Sequence, residues 1–491
     1  MQRVLSARSV ALAVGGAELK PPLYAALADR IRGAVTDGRL PAGARLPSER
    51  ELMVAMALSR STVTRAYQEL RDQGYLRTRQ GSGSVLHLPV VPGGRVDHLL
   101  TPAGSNPDAV DPDVIDLTTT ASAAGPWLME AYAEAVADCA AYLPGVGYYP
   151  TGLPVLRELV AGRFTERGLP TSADQILITS GALSSTAIAA QALGLRGSQV
   201  VIESPTYPNA IATFKGLGAR LVTHPIDHEA PGAQWDGPGL DILLRQVNAR
   251  SAYLVPDFHN PTGALMDATQ RERIGALLAA RGVVPIIDET PVELACDDTQ
   301  MPPPLAACVP DSITVGGVSK TFWGGLRIGW IRMPSARVRA MATSRLRLDL
   351  GSPVVEQLAV AALLRRRAEI VPQRRVAFTS GRDLLLAGVA EHLPSWRVHR
   401  PAGGLSLWCR LPVERSTALV AAAAQHQLML AAGPNFAPGG GLDQWMRLPF
   451  VLPSDRLTEA LPRLVKAWDG ALGSDPASMR RGIHAQSPII A

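Results

Sequence analysis

Six short apolar runs, QILITS, QVVIES, ARLVTHP, AYLVPD, VVPIIDE and SITVGG, recur between residues 175 and 317 and alternate with helical stretches. Strands this continuously apolar need cover on both faces, and the intervening helices supply it. The alternation therefore predicts a mainly parallel α/β sheet. Ligands of such sheets sit beyond the carboxyl ends of the strands. Here those ends carry Ser180-Gly181-Ala182-Leu183, Tyr207, Asn260, Asp288 and Lys320.

At 491 residues the chain exceeds what one hydrophobic core supports, so two or three domains are expected. Apolar residues make up 47% and charged residues 19%, which excludes a largely disordered chain. No apolar run approaches the roughly 18 to 20 residues of a spanning helix, and Arg8 and Ser9 break the opening hydrophobic stretch. A cytoplasmic protein is expected. Four scattered cysteines without metal-ligand spacing predict neither disulfides nor a metal site. The net charge is +5, yet residues 1–88 hold 13 basic against 7 acidic side chains, so the whole positive excess lies at the N-terminus. That asymmetry predicts an N-terminal module for a polyanion on a near-neutral body.

Residues 23–37 carry Leu23, Leu27, Ile31 and Val35 on one helical face. Ser48 and Glu51 form a capping box that opens a second helix. In the third, from Ser59, the spacing turns Val63, Ala66, Tyr67 and Leu70 inward and leaves Arg60, Ser61, Thr64 and Arg65 outside. Gly74 stops it, and YLRTRQGSGSVL reads as two strands around the tip Gln80–Gly83. Three helices and a hairpin make a winged helix-turn-helix. The run LPAGARLPSERELMVAMALSRSTVTRAYQELRDQGYLRTRQGSGSV resembles the GntR family of bacterial regulators throughout. The resemblance implies DNA contacts from Arg50, Ser59, Arg60, Ser61, Thr62 and Arg65, and from the wing tip Gly81, Ser82 and Gly83.

Residues 89–113 are rich in Pro, Gly and Asp and read as a linker between a DNA-binding domain, 19–88, and the body. Within the body the strand-end residues suit one another chemically. Free amides at the helix after Gly181 suit a phosphate, Tyr207 a planar ring, and Asn260 a phenolic oxygen. Asp288, at the end of a very apolar strand, needs a cation such as a pyridinium nitrogen. Only four of the 48 basic residues are lysines, and Lys320 lies in a glycine-rich turn rather than on a charged helix face. An amine that deprotonates can form a Schiff base; a guanidinium cannot. Arg327, seven residues on, suits a phosphate.

In this order the residues resemble the fold type I pyridoxal-phosphate proteins, the aspartate aminotransferase superfamily, over roughly 114–468. The resemblance implies a large domain over 114–370 and a smaller α+β subdomain over 371–470; residues 471–491 have little periodicity and are expected to be a disordered tail. It makes Lys320 the Schiff-base lysine of pyridoxal 5′-phosphate and Asp288 the partner of the ring nitrogen. Asn260 then bonds the ring hydroxyl and Tyr207 stacks on the ring, Gly181, Ala182 and Arg327 hold the phosphate, and Leu183, Thr290 and Ser319 belong to the same cofactor site. Arg447 falls where the family binds a substrate carboxylate, and Tyr148 where a side chain reaches the partner subunit's cofactor. Two positions depart from the pattern: Thr290 stands where relatives commonly have Tyr, and Gly317 where a hydroxyl residue is common.

The two halves together resemble the MocR/GabR-type transcriptional regulators. That implies a homodimer on operator DNA, with pyridoxal phosphate, or an amino compound held as an aldimine on Lys320, modulating DNA binding. The alternative is a pyridoxal-phosphate aminotransferase with an accessory helical module. The departures at Thr290 and Gly317 count against efficient transamination while leaving residual activity open.

Overall fold

The computed structural model describes residues 5–14, 21–36, 40, 44–72, 75–79, 83–86, 113–227 and 234–473. They fall into two units, within Met1–His98 and within Leu99–Ala491.

The first unit consists of α1 (Ala7–Val14), α2 (Leu23–Thr36), α3 (Glu49–Met56), α4 (Arg60–Asp72) and the hairpin β1 (Leu76–Arg79) and β2 (Gly83–Leu86). The capping box forms: the Glu51 amide donates to Ser48 Oγ at 3.3 Å, and the Ser48 amide donates to Glu51 Oε2 at 2.8 Å. On α4 the four side chains expected to face inward are buried, and Tyr67 donates its hydroxyl to the Pro47 carbonyl. On α2, Leu27 and Ile31 are buried with Ala28 and Ala34, whereas Leu23, expected on that face, stays 38% exposed. Helix α1 has no counterpart in the sequence reading. Arg8 and Ser9, taken as a break, lie on its outer face, while Leu5, Val10 and Val14 join the core of α2 to α4. The Arg30 guanidinium donates to the Val14 carbonyl at its last turn. Gly74, Gly81, Ser82 and residues 89–112 of the expected linker lie outside the described residues.

The second unit begins with β3 (Ile115–Leu117). Eight further strands form the main sheet: β4 (Ile176–Thr179), β5 (Gln199–Ser204), β6 (Arg220–Asp227), β7 (Gln234–Trp235), β8 (Ala249–Leu254), β9 (Val284–Asp288), β10 (Ile313–Gly317) and β11 (Gly329–Arg332). Their order is β4-β11-β10-β9-β8-β5-β6-β7, with β6, β5, β8, β9 and β10 paired in parallel and β11 antiparallel to both its neighbours. Separate apolar cores cover the two faces, one through Ile178, Val201 and Ile287, the other through Leu177, Val200 and Ile286. This is the period of two of a sheet buried on both sides.

A second sheet, in the order β12-β13-β15-β14-β3, comprises β12 (Arg397–Val398), β13 (Ser406–Arg410), β14 (Leu428–Ala432), β15 (Trp445–Pro449) and β3. Residues 115–117, expected to open the large domain, thus pair in parallel with Leu428–Leu430 of the smaller subdomain. Three residues carry no period, and their partner lies about 310 residues on, so the sequence gives no local sign of it. The helix Arg367–His392 runs across the expected boundary at 370/371. Its Ile370 is buried in the main-sheet core and its Phe378, Leu385 and Val389 in the second core. The last helix continues to Gly473, so residues 471–473 of the expected disordered tail are helical; the rest lie outside the described residues.

Candidate functional site

The carboxyl ends of the parallel strands open on one cavity of about 260 Å³. Its lining brings together Ala182, Leu183, Tyr207, Asn260, Asp288, Thr290, Ser319, Lys320 and Arg327, nine residues predicted from widely separated segments. The chain reaches it repeatedly because each crossover helix returns the backbone to the same sheet edge.

The Lys320 amine donates to Thr120 Oγ1 at 3.2 Å. Burial, assisted by the positive Arg447 and opposed by Asp288, lowers its pKa from the ordinary lysine value to about 8. The neutral form, which carries the lone pair, is therefore accessible near neutral pH. Capture of an aldehyde by the cofactor-free protein should accordingly speed up as pH rises through about 8. Stopped-flow absorbance across that range tests this, and a flat profile would contradict it.

Asp288 is buried, which raises its pKa, while hydrogen bonds from Thr290 and Tyr253 pull the other way. Oδ1 accepts the Thr290 amide at 2.8 Å and Oδ2 accepts the Tyr253 hydroxyl at 2.7 Å. A carboxylate so held at the floor of the cavity suits a cationic ring nitrogen. Tyr207 accepts a hydrogen bond from Asn209 Nδ2 at 2.9 Å, and burial raises its own pKa. Asn260 Oδ1 faces Arg447 Nη1 at 3.4 Å, which leaves the amide NH₂ as the donor for a ring oxygen.

One end of the cavity is built by backbone. Gly181, at φ 104°, precedes the helix Ala182–Ala192 and brings no side chain to its first-turn amides, so these remain available to an anion. Arg327, itself in the left-handed region at φ 48°, donates to the Ser180 carbonyl at 3.2 Å, and a Cβ on Gly181 would come 2.6 Å from its Nη2.

Arg447 is fully buried on β15 beside the cavity, and burial pushes its pKa down to about 10. It donates to the Thr118 carbonyl and Asn260 Oδ1, lies over the Phe436 ring, and keeps a buried Nε with no partner. A buried guanidinium bonded only to neutral oxygens suits an incoming carboxylate. The Thr290 hydroxyl is likewise buried, close to Asp288 but with no well-aligned hydrogen-bond partner among the described residues. Gly317 lines the cavity, and a Cβ there would sit tightly, 3.3 Å from the Ile328 carbonyl oxygen, while the Ala182 amide nitrogen at 3.5 Å is at an ordinary contact distance. Tyr148 is not in this lining; it is 63% exposed.

In the N-terminal unit Arg50 is exposed on the first turn of α3, and Ser59, Arg60, Ser61 and Arg65 are exposed at the start of α4. The Ser59 hydroxyl accepts the Thr62 amide at 3.2 Å and lies 2.7 Å from Thr62 Oγ1, so these two residues build the helix cap as well as facing outward. Gly83, at φ 78°, is packed against the Arg45 guanidinium, which a Cβ there would meet at 2.4 Å.

The pattern of the aminotransferase class I and II family matches residues 112–464. The chain belongs to that family. Its N-terminal residues 23–86 match the gntR family of bacterial regulatory proteins. This aminotransferase-family chain is 30% identical, over 80% of its length and 86% of the relative's, to YisV of Bacillus subtilis, an uncharacterized HTH-type transcriptional regulator. It is 28% identical to the HTH-type pyridoxine biosynthesis transcriptional regulator PdxR of Corynebacterium glutamicum, over 77% and 81% of the two chains. Among solved structures, the α-aminoadipate aminotransferase LysN of Thermus thermophilus superposes with a TM-score of 0.67 at 28% identity, covering 74% of this chain and 93% of that one. A GntR helix-turn-helix domain joined to an aminotransferase fold type I domain is the MocR/GabR architecture.

Sequence reasoning missed Thr120, Asn209 and Tyr253 in this aminotransferase-family site. Tyr253 offered a signal, since a tyrosine in an otherwise apolar strand needs a partner for its hydroxyl. It pairs with Ile286 across the β8–β9 ladder and reaches Asp288 two residues further along. Thr120 gave no signal, because only the return of β3 to the second sheet brings it to Lys320.

Proposed function

We propose that the chain is a transcriptional regulator whose body binds pyridoxal phosphate, or an amino compound captured on it, and whose N-terminal unit binds operator DNA. The observation that carries this reading is the cavity itself: a lysine amine with a lowered pKa shares it with a buried aspartate, in a chain that also carries a GntR domain. The residues fit the cofactor, since Thr290 Oγ1 and Arg447 Nε are buried polar atoms with no well-aligned partner among the described residues and the amides after Gly181 lack a side-chain cap. Bound there, pyridoxal phosphate supplies an aldehyde for amines and a ring that accepts electron density. Lys320 would hold the aldehyde carbon, Asp288 the ring nitrogen, Asn260 and Thr290 the ring oxygen side, and Tyr207 the ring face. Gly181, Ala182, Leu183, Ser319 and Arg327 hold the phosphate, and Arg447 the effector's carboxylate.

A homodimer follows from the same reading. Leu143, Val146, Tyr148, Leu348 and Leu350 are large apolar side chains left at least half exposed, and the backbones of Tyr149 and Gly351 touch, so the two segments adjoin. A patch of this kind suits a two-fold interface, from which Tyr148 reaches the partner's cavity. Two GntR domains then address two half-sites of cytoplasmic DNA. Regulation requires that the ligand bind the DNA-competent and DNA-incompetent states with different affinity.

The intact set Lys320, Asp288 and Arg447 favours one second reading, a working aminotransferase. Visible spectra of the holo protein during titration with single amines and amino acids separate the two. A change that halts at capture and alters DNA affinity supports the regulator. Release of a keto acid at turnover supports the enzyme, and no spectral response together with DNA binding unaffected by pyridoxal phosphate would sink the sensing role.

A further inference from the structure

The first half of α4 presents Arg60, Ser61, Thr64, Arg65 and Gln68 around one shallow hollow. Arg65 differs from Arg32 and Arg71 of the same unit, which pair with carboxylates. Arg32 pairs with Asp29 and Arg71 with Glu49, whose other oxygen accepts the Thr64 hydroxyl at 2.7 Å. Arg65 has no carboxylate partner among the described residues; its guanidinium carbon lies 3.9 Å from the centroid of the Tyr24 ring. Tyr24 is the second residue of α2, and its ring is half-buried against the core of the unit. The ring is therefore anchored while the arginine is exposed.

An unanchored surface arginine loses rotamer freedom when a ligand fixes it. Stacking on an aromatic face removes part of that loss beforehand. It also leaves the donors free, because the five guanidinium N–H groups point outward in the plane of the group and the ring occupies only its face. A planar fork held beside the first turns of a recognition helix matches a phosphate oxygen pair. A paired carboxylate would have consumed the same donors.

We propose that Tyr24 is a positioning residue for DNA binding, its ring holding the Arg65 guanidinium ready to take a backbone phosphate. The inference rests on the reading of the N-terminal unit as a DNA-binding domain. A phosphate contact is independent of sequence, so the probe need not be the operator. The test is fluorescence anisotropy of the full-length holo protein with a labelled duplex of arbitrary sequence, over a series of salt concentrations, accompanied by thermal unfolding.

Tyr24→Leu, which keeps an apolar anchor and removes the π face, is expected to weaken binding about threefold to tenfold. The slope of log K against log salt should become shallower by about one phosphate. Tyr24→Phe keeps the stack and should retain wild-type affinity and slope. Arg65→Ala should lose at least as much as Tyr24→Leu, and adding Tyr24→Leu to it should change nothing further. A wild-type slope in Tyr24→Leu overturns the proposal, whether affinity is unchanged or falls together with the melting temperature. Additive losses in the double variant overturn it as well. If the wild-type protein binds no duplex even at low salt, the DNA-binding reading itself fails.

Discussion

Lys320→Ala is expected to fold and to lose all covalently held pyridoxal phosphate, so that the visible band disappears after desalting while the unsubstituted protein keeps it. In the described structure the Lys320 amine has one hydrogen bond, to Thr120 Oγ1, and its environment already disfavours the charged form. Removing the side chain thus breaks little that supports the fold, and the melting temperature without cofactor should shift by no more than a few degrees. What remains for the cofactor is reversible binding through the amides after Gly181, Arg327, Asn260 and Asp288. Stabilisation of the folded state by added pyridoxal phosphate should fall in step with that weaker affinity. If the body is a sensor, DNA binding by Lys320→Ala should also cease to respond to amines. A retained visible band after desalting would show that the assignment of Lys320 is wrong.

Gly329→Ala is the second change with a large expected effect, although Gly329 carries no side chain to the cavity. It lies on β11 directly opposite Thr179, the last residue of β4, where the chain turns toward the phosphate amides. A methyl group there would stand 2.5 Å from the Gly181 carbonyl carbon and 2.7 Å from the Ala182 nitrogen. Backbone cannot swing aside as the end of a side chain does, so the turn must shift. Overpacking of this kind costs about 1–3 kcal/mol, and here the displaced atoms include the amide proposed to hold the phosphate. The expected result is cofactor affinity reduced about tenfold to hundredfold, read by absorbance titration, with a lowered melting temperature. Gly324→Ala is the control, because the nearest atom to its Cβ, that of Ala121, lies at an ordinary 3.9 Å. Unchanged affinity in Gly329→Ala would mean that the turn is not the phosphate site.

Much of the site was legible because its residues break local rules. A lysine in an arginine-dominated chain, an aspartate closing an apolar strand and a glycine before a helix each stand out against their neighbours. The capping box at Ser48 and the inward face of α4 were legible for the complementary reason, since both depend on contacts three or four residues apart. Helix α1 escaped notice because two turns with Arg8 and Ser9 on the outside carry too short a period to register.

The amino-acid sequence by itself determined six strands of the main sheet and the helices α2 to α4, the residues available at the strand ends, and the segregation of charge onto the N-terminal unit. These are properties of spacing and composition, which a linear chain displays directly. Only the tertiary structure decided that β3 leaves the large domain to pair with β14, and with that it set Thr120 against Lys320 and the Thr118 carbonyl against Arg447. Only it set Tyr253 against Asp288, Gly329 against the phosphate turn and Tyr24 against Arg65. Each of these contacts joins separate secondary-structure elements, and their partners are chosen by how sheets and helices pack, which no local pattern encodes.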